Sequence, residues 1–107
     1  MTEQDYLYGQ VDKASRLLCI LANPKRLQIM HILMAGEIAV SELAEKVGLS
    51  QSALSQHLAK FRAEDLVVTR RVAQTIYYRG ASEAADRLLK VLGEIYNIDC
   101  RKLENVA

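Results

Sequence analysis

The stretch Ser41-Glu-Leu-Ala-Glu-Lys-Val-Gly-Leu-Ser-Gln-Ser-Ala-Leu-Ser-Gln-His-Leu58 reads as two short helices hinged at Gly48. A serine oxygen can accept a hydrogen bond from an unpaired first-turn amide, so Ser41 is expected to cap the first helix and Ser50 the second. Leu43, Ala44 and Val47 give the first helix a small apolar face. Gly48 lacks a Cβ and can take the left-handed conformation that closes that helix. Such spacing is that of a helix-turn-helix over residues 41–63.

On a 3.6-residue wheel the second helix turns Leu54, Leu58 and Phe61 to one side and Ser52, Gln56, Ala59 and Lys60 to the other. Small and amide side chains let another surface approach closely. Glutamine can pair bidentately with an adenine edge, serine can donate to or accept from several bases, and a serine-rich helix start offers free amides to phosphate. A solvated face would use the same residue types, so the flanking segments carry the decision.

With 107 residues, 50% of them hydrophobic, the chain is expected to be a single domain (1–107) with one modest core, which pairing with a second copy would enlarge. The formal net charge of +1 neither suggests nor excludes a polyanion. Distribution says more: between residues 50 and 79, Lys60, Arg62, Arg70, Arg71 and Arg79 stand against only Glu64 and Asp65. The polar N-terminus and the absence of an apolar run near the ~20 residues that cross a bilayer point to a cytoplasmic protein with no membrane partner. Two cysteines, Cys19 and Cys100, are too few for a disulfide framework.

Upstream, Leu7, Val11, Ala14, Leu17, Leu18 and Leu21 recur at helical spacing and predict an amphipathic helix over 7–21. Asn23-Pro24 interrupts it and suits the first turn of a new helix, to about residue 34, with Leu27, Met30, Ile32 and Leu33 at the centre of the core. Residues 37–40 read as a link. Downstream, Val67, Val68, Thr69, Thr75, Ile76, Tyr77 and Tyr78 mark two extended runs around Val72-Ala-Gln74, a β-hairpin over 66–79 whose tip is expected to be flanked by Arg70, Arg71 and Arg79. Ser82 should cap a last helix, 82–98. Leu88, Leu89, Val91, Leu92, Ile95 and Tyr96 cover more of its circumference than one contact needs, and the first helix also has apolar residues to spare. The two terminal helices are therefore expected to pack together against a second copy.

The resulting order, α-α-α-α-β-β-α, mostly helical with a small β-hairpin, resembles the ArsR-type winged helix-turn-helix repressors. The likeness rests on Ala22-Asn-Pro-Lys-Arg-Leu27, on Val47 to Leu58, and on Thr69-Arg-Arg71 with Ala73-Gln-Thr-Ile-Tyr-Tyr78. It implies a homodimer that blocks transcription by occupying a double-stranded, near-palindromic DNA operator. By matching position, Ser50, Gln51, Ser52, Ser55 and Gln56 fall in the recognition segment, with Lys60 farther along the same face; Arg70, Arg71, Gln74 and Thr75 fall in the wing.

Many such repressors release DNA on binding a metal, but the helix over 41–47 holds no thiol and the last helix no histidine. No cofactor and no small-molecule effector is evident. A thiol-responsive repressor using Cys19 and Cys100 is the alternative in the same fold, against a buried, inert Cys19. A protein-interaction module that does not bind DNA is the alternative outside it. His31 and His57 read as packed core-side histidines, His31 hydrogen-bonded. Neither is near a serine or cysteine that would suggest a hydrolase, so an enzyme is not expected.

Overall fold

The computed structural model describes residues 1–99 and 102. Its elements are α1 (Glu3–Leu21), α2 (Pro24–Ala35), β1 (Ile38–Ala39), α3 (Val40–Val47), α4 (Gln51–Ala63), β2 (Val67–Val72), β3 (Thr75–Gly80) and α5 (Glu83–Tyr96). Phe61, Ile29, Met30, Leu33, Leu43, Leu54, Leu58 and Val47 are the largest fully enclosed side chains. They come from α2, α3 and α4, so the helix-turn-helix is built directly on the core.

Helix α1 starts four residues before the expected position. Thr2 and Asp5 form a reciprocal cap there, the Thr2 hydroxyl oxygen accepting from the Asp5 amide at 3.1 Å and Asp5 accepting from the Thr2 amide at 3.1 Å. Asn23 caps α2, its side chain accepting from the Arg26 amide at 3.0 Å, with Pro24 in the first turn. The next two cations serve the fold. Arg26 Nε donates to the Ile20 carbonyl at 2.6 Å and Lys25 Nζ to the Val47 carbonyl, so each satisfies a carbonyl at a helix C-terminus, of α1 and α3 respectively.

Residues 38 and 39, expected to be linker, are a strand. Ile38 pairs with Tyr78 and Ala39 with Tyr77, giving an antiparallel sheet in the order β1-β3-β2. This pairing also overturns the expected role of Ser41. The strand runs straight into α3, Ala39 takes the capping position without a side-chain bond, and Ser41 falls inside the first turn. Gly48 closes α3 as anticipated, at φ 66 and ψ 38, and Ser50 caps α4 by accepting from the Ala53 amide at 3.1 Å.

The hairpin register runs from Val67 opposite Gly80 to Val72 opposite Thr75, leaving Ala73 and Gln74 as a two-residue turn with Ala73 at φ 54. Alternation along the strands puts Val67, Thr69 and Arg71 with Ile76 and Tyr78 on the core-side face, and Val68, Arg70 and Val72 with Thr75, Tyr77 and Arg79 on the other. At the base of β3 a Cβ on Gly80 would lie 2.5 Å from Met34 Sδ, so glycine leaves room there for the Met34 side chain of α2. Ser82 caps α5 through the Ala85 amide at 3.1 Å, and Asn97 ends it at φ 55.

The outer helices are left open. Leu21 is the one buried residue of α1, while Tyr6, Leu7, Tyr8, Val11 and Leu18, with Val91, Ile95 and Tyr96 of α5, are each more than half exposed. Cys19 is exposed rather than buried. Cys100 lies outside the described residues.

Candidate nucleic-acid interface

Helix α4 is anchored by Leu54, Leu58 and Phe61, which leaves Gln51, Ser52, Ser55, Gln56, Ala59 and Lys60 exposed along its opposite face. The Ser50 hydroxyl oxygen is engaged at the helix start, though its O–H can still donate outward. The wing tip reaches this helix start. Gln51, Gln74 and Thr75 line a cavity of about 180 Å³ together with Val40, Ser41 and Ile76. Three of the sequence-predicted residues thus converge, and Ser41, misread as a cap, joins them. Lys60 stands about 14 Å from Gln51 along the helix axis.

The cations divide differently from the expectation. Arg79 pairs with Val68 near the hairpin base, roughly 13 Å along the strand from the turn, so it does not flank the tip. Arg70 and Arg71 are neighbours in sequence but point to opposite faces of the hairpin. Arg70 is occupied: its Nε donates to Glu37 Oε2 at 3.0 Å and its Nη2 to Glu37 Oε1 at 2.6 Å, while its guanidinium lies 4.9 Å from the centroid of the Tyr77 ring. The hydrogen bonds to Arg70 hold the Glu37 carboxyl below the usual carboxylate range. Arg62 donates to the Tyr78 hydroxyl and lies over that ring. Lys60 and Arg71 are exposed and make no hydrogen bond or ion pair among the described residues. Glu37 escaped the sequence reading, because its place beside Arg70 depends on the pairing of β1 with β3 over a long sequence separation, whereas the contact of Tyr77 with Arg70 follows from the local hairpin register.

Both histidines sit against the core, but neither is fully satisfied. His31 is 8% exposed with Nε2 buried and unpartnered, and His57 has Nδ1 buried and unpartnered among the described residues. The hydrogen bond expected of the His31 side chain is thus not formed at Nε2. Burial lowers the pKa of each, and at His57 the nearby Arg26 and Lys60 charges push the same way. His31 lines a cavity of about 530 Å³ between α2 and α5, but its unpartnered nitrogen is sealed from that space.

The arrangement is an exposed amide-and-hydroxyl helix beside a cationic ribbon. Over 91 residues the chain is 55% identical to the nodulation protein NolR of Rhizobium meliloti, a match spanning 85% of this chain and 75% of that protein. The family model for ArsR bacterial regulatory proteins matches residues 23–69, which run from the cap of α2 into β2. This chain belongs to the ArsR family. A further ArsR-type relative, the transcriptional activator HlyU of Vibrio cholerae, is 45% identical over 78% of each chain. The crystal structure of NolR from Sinorhizobium fredii superposes with a TM-score of 0.81 at 48% identity, covering 92% of this chain and 97% of that one. A solution structure from Mycobacterium bovis, described as a homodimeric winged helix-turn-helix DNA-binding domain, superposes at 0.77 with 30% identity, covering 91% and 88%. This ArsR-family chain is accordingly a DNA-binding transcriptional regulator with a winged helix-turn-helix fold, in a family of regulators rather than enzymes. Among the described residues no group of three or more His, Cys, Asp or Glu side chains could hold a metal, and no helix is long and apolar enough to cross a membrane.

Proposed function

We propose that two copies of this ArsR-family chain pair through α1 and α5, and that the pair represses transcription in the cytoplasm by occupying a near-palindromic operator. Gln51, Ser52, Ser55 and Gln56 present amides and hydroxyls to base edges in the major groove. Lys60, Arg71, Gln74 and Thr75, with the free hydroxyl hydrogen of Ser50, hold the sugar-phosphate backbone on either side. The observation that carries this reading is the exposed polar face of α4 set beside the wing tip, with Gln51, Gln74 and Thr75 around one cleft.

Pairing is supported by the eight large apolar side chains that α1 and α5 leave more than half exposed, and by the homodimeric description of the M. bovis relative. Two reading helices related by a twofold axis reach half-sites about one turn of DNA apart, which makes the operator symmetric. HlyU carries the name of an activator, so repression by this chain is a statement about where its operator lies relative to the promoter. Selection of bound fragments from random or genomic DNA tests the reading, because it returns motif, symmetry and spacing together. The expected product is an inverted repeat bound by a dimer; an asymmetric single half-site, or recovery of no motif, would refute it.

A further inference from the structure

Arg70 and Glu37 lie 33 residues apart in sequence and meet because β1 is stitched to β3. Ala39 stands opposite Tyr77, and Tyr77 opposite Arg70, so these residues share the solvent face of the sheet with Glu37, two positions before Ala39. The carboxylate takes both Nε and Nη2, the side edge of the guanidinium. That edge is the one an arginine uses to grip any bidentate oxyanion, a phosphate included. Tyr77 holds the guanidinium plane from its face.

We propose that Glu37 is a built-in substitute for a DNA phosphate, which occupies Arg70 and withholds it from the backbone of a duplex unless DNA displaces the carboxylate. The inference rests on the DNA-binding reading above. Both side chains are well exposed, at 56% and 32%, so the pair is of the weak, exchangeable kind. Arg71, on the opposite face and unengaged, supplies the constitutive wing contact, whereas Arg70 is conditional. An arginine that must leave one anion to reach another contributes little to loose binding along arbitrary sequence. Glu37 therefore lowers affinity for non-specific DNA, and with it the share of the protein held away from its operator.

The test is a four-protein cycle: wild type, Glu37→Gln, Arg70→Ala and the double variant. Each is titrated onto a random-sequence duplex by fluorescence anisotropy over a series of salt concentrations, with circular dichroism confirming a folded chain. Glu37→Gln should bind roughly two- to five-fold tighter at low salt, the scale of one exposed ion pair. Its plot of log affinity against log salt should steepen by up to ~0.9 per protomer, the value of one phosphate contact. Both gains should disappear when Arg70 is already alanine. Loss of a negative charge near DNA would also tighten binding, but that gain would survive in the Arg70→Ala background, and its survival overturns the proposal. Unchanged or weaker binding by Glu37→Gln overturns it too. Glu37→Ala, which leaves no amide oxygen to bond the guanidinium, should behave as Glu37→Gln does. A flat cycle in a protein that still binds duplex refutes the Glu37 role alone; a wild type that binds no duplex refutes the DNA reading as well.

Discussion

Replacing Gln56 by alanine separates base reading from backbone binding. The side chain is exposed and makes no hydrogen bond among the described residues, while the core contacts of α4 run through Leu54, Leu58 and Phe61. Alanine is a better helix former than glutamine, and a surface change of this kind stays within about 0.5 kcal/mol of wild-type stability. The melting temperature should therefore move by no more than ~4 °C. On the operator, one bidentate amide–base pair is worth ~1–3 kcal/mol of discrimination. A symmetric dimer loses it twice, ~2–6 kcal/mol, so operator affinity should fall by a factor of about 30 or more. Affinity for random duplex and the dependence on salt should not change, because no phosphate contact is removed. Anisotropy titrations on the selected operator and on a scrambled duplex, each at several salt concentrations, measure both quantities. Equal losses on the two duplexes, or a flatter salt dependence, would refute the assignment of Gln56 to base edges.

Arg71→Ala should do the opposite, weakening operator and scrambled DNA alike and flattening the log–log salt slope by ~0.9 per protomer in the same titrations. Ala73 sits at φ 54 in the wing turn, where a Cβ is unfavourable; Ala73→Gly should stabilise the fold by about 0.5–1 kcal/mol in chemical denaturation, and a loss of stability would mean the turn differs from the one described. Burial holds His31 below its ordinary value of 6.5, so as pH falls through that value the unfolded chain takes up a proton that the folded chain refuses. Stability is complete above that pH and is lost on the acid side, and His31→Met should flatten the decline in melting temperature between about pH 7 and pH 5. An unaltered decline in that variant would show that His31 is not responsible.

Local chemistry explains what the sequence disclosed. Caps such as Ser50 and Ser82, the left-handed Gly48 and the alternating runs of the hairpin depend on neighbours a few residues away, and all stand where expected. Thr2-Glu-Gln-Asp5 has the spacing of a reciprocal cap, so the true start of α1 was readable too. The two residues of β1 were not, because alternation cannot be recognised over so short a span and the strand exists only through β3. Two further misreadings follow from pairing rather than pattern. Ser41 lost its capping position once β1 ran into α3, and Arg79 moved to the hairpin base once the turn was set at Ala73 and Gln74. Arg70 was recognisable as a wing cation, yet its partner lies 33 residues away. On charge count alone it stood equal to Arg71.

The small strand Ile38–Ala39 has one further effect. It enters α3 directly and is bonded to the inner strand of the hairpin, so the ribbon and the helical motif are tied at the start of α3 as well as through the loop after α4. Two tethers on a rigid body leave little freedom to swing. On the proposed reading, substitutions on the outer face of α4 alter which bases are preferred without shifting the clamp on the rails, and sequence preference and grip become separately adjustable properties of one small scaffold.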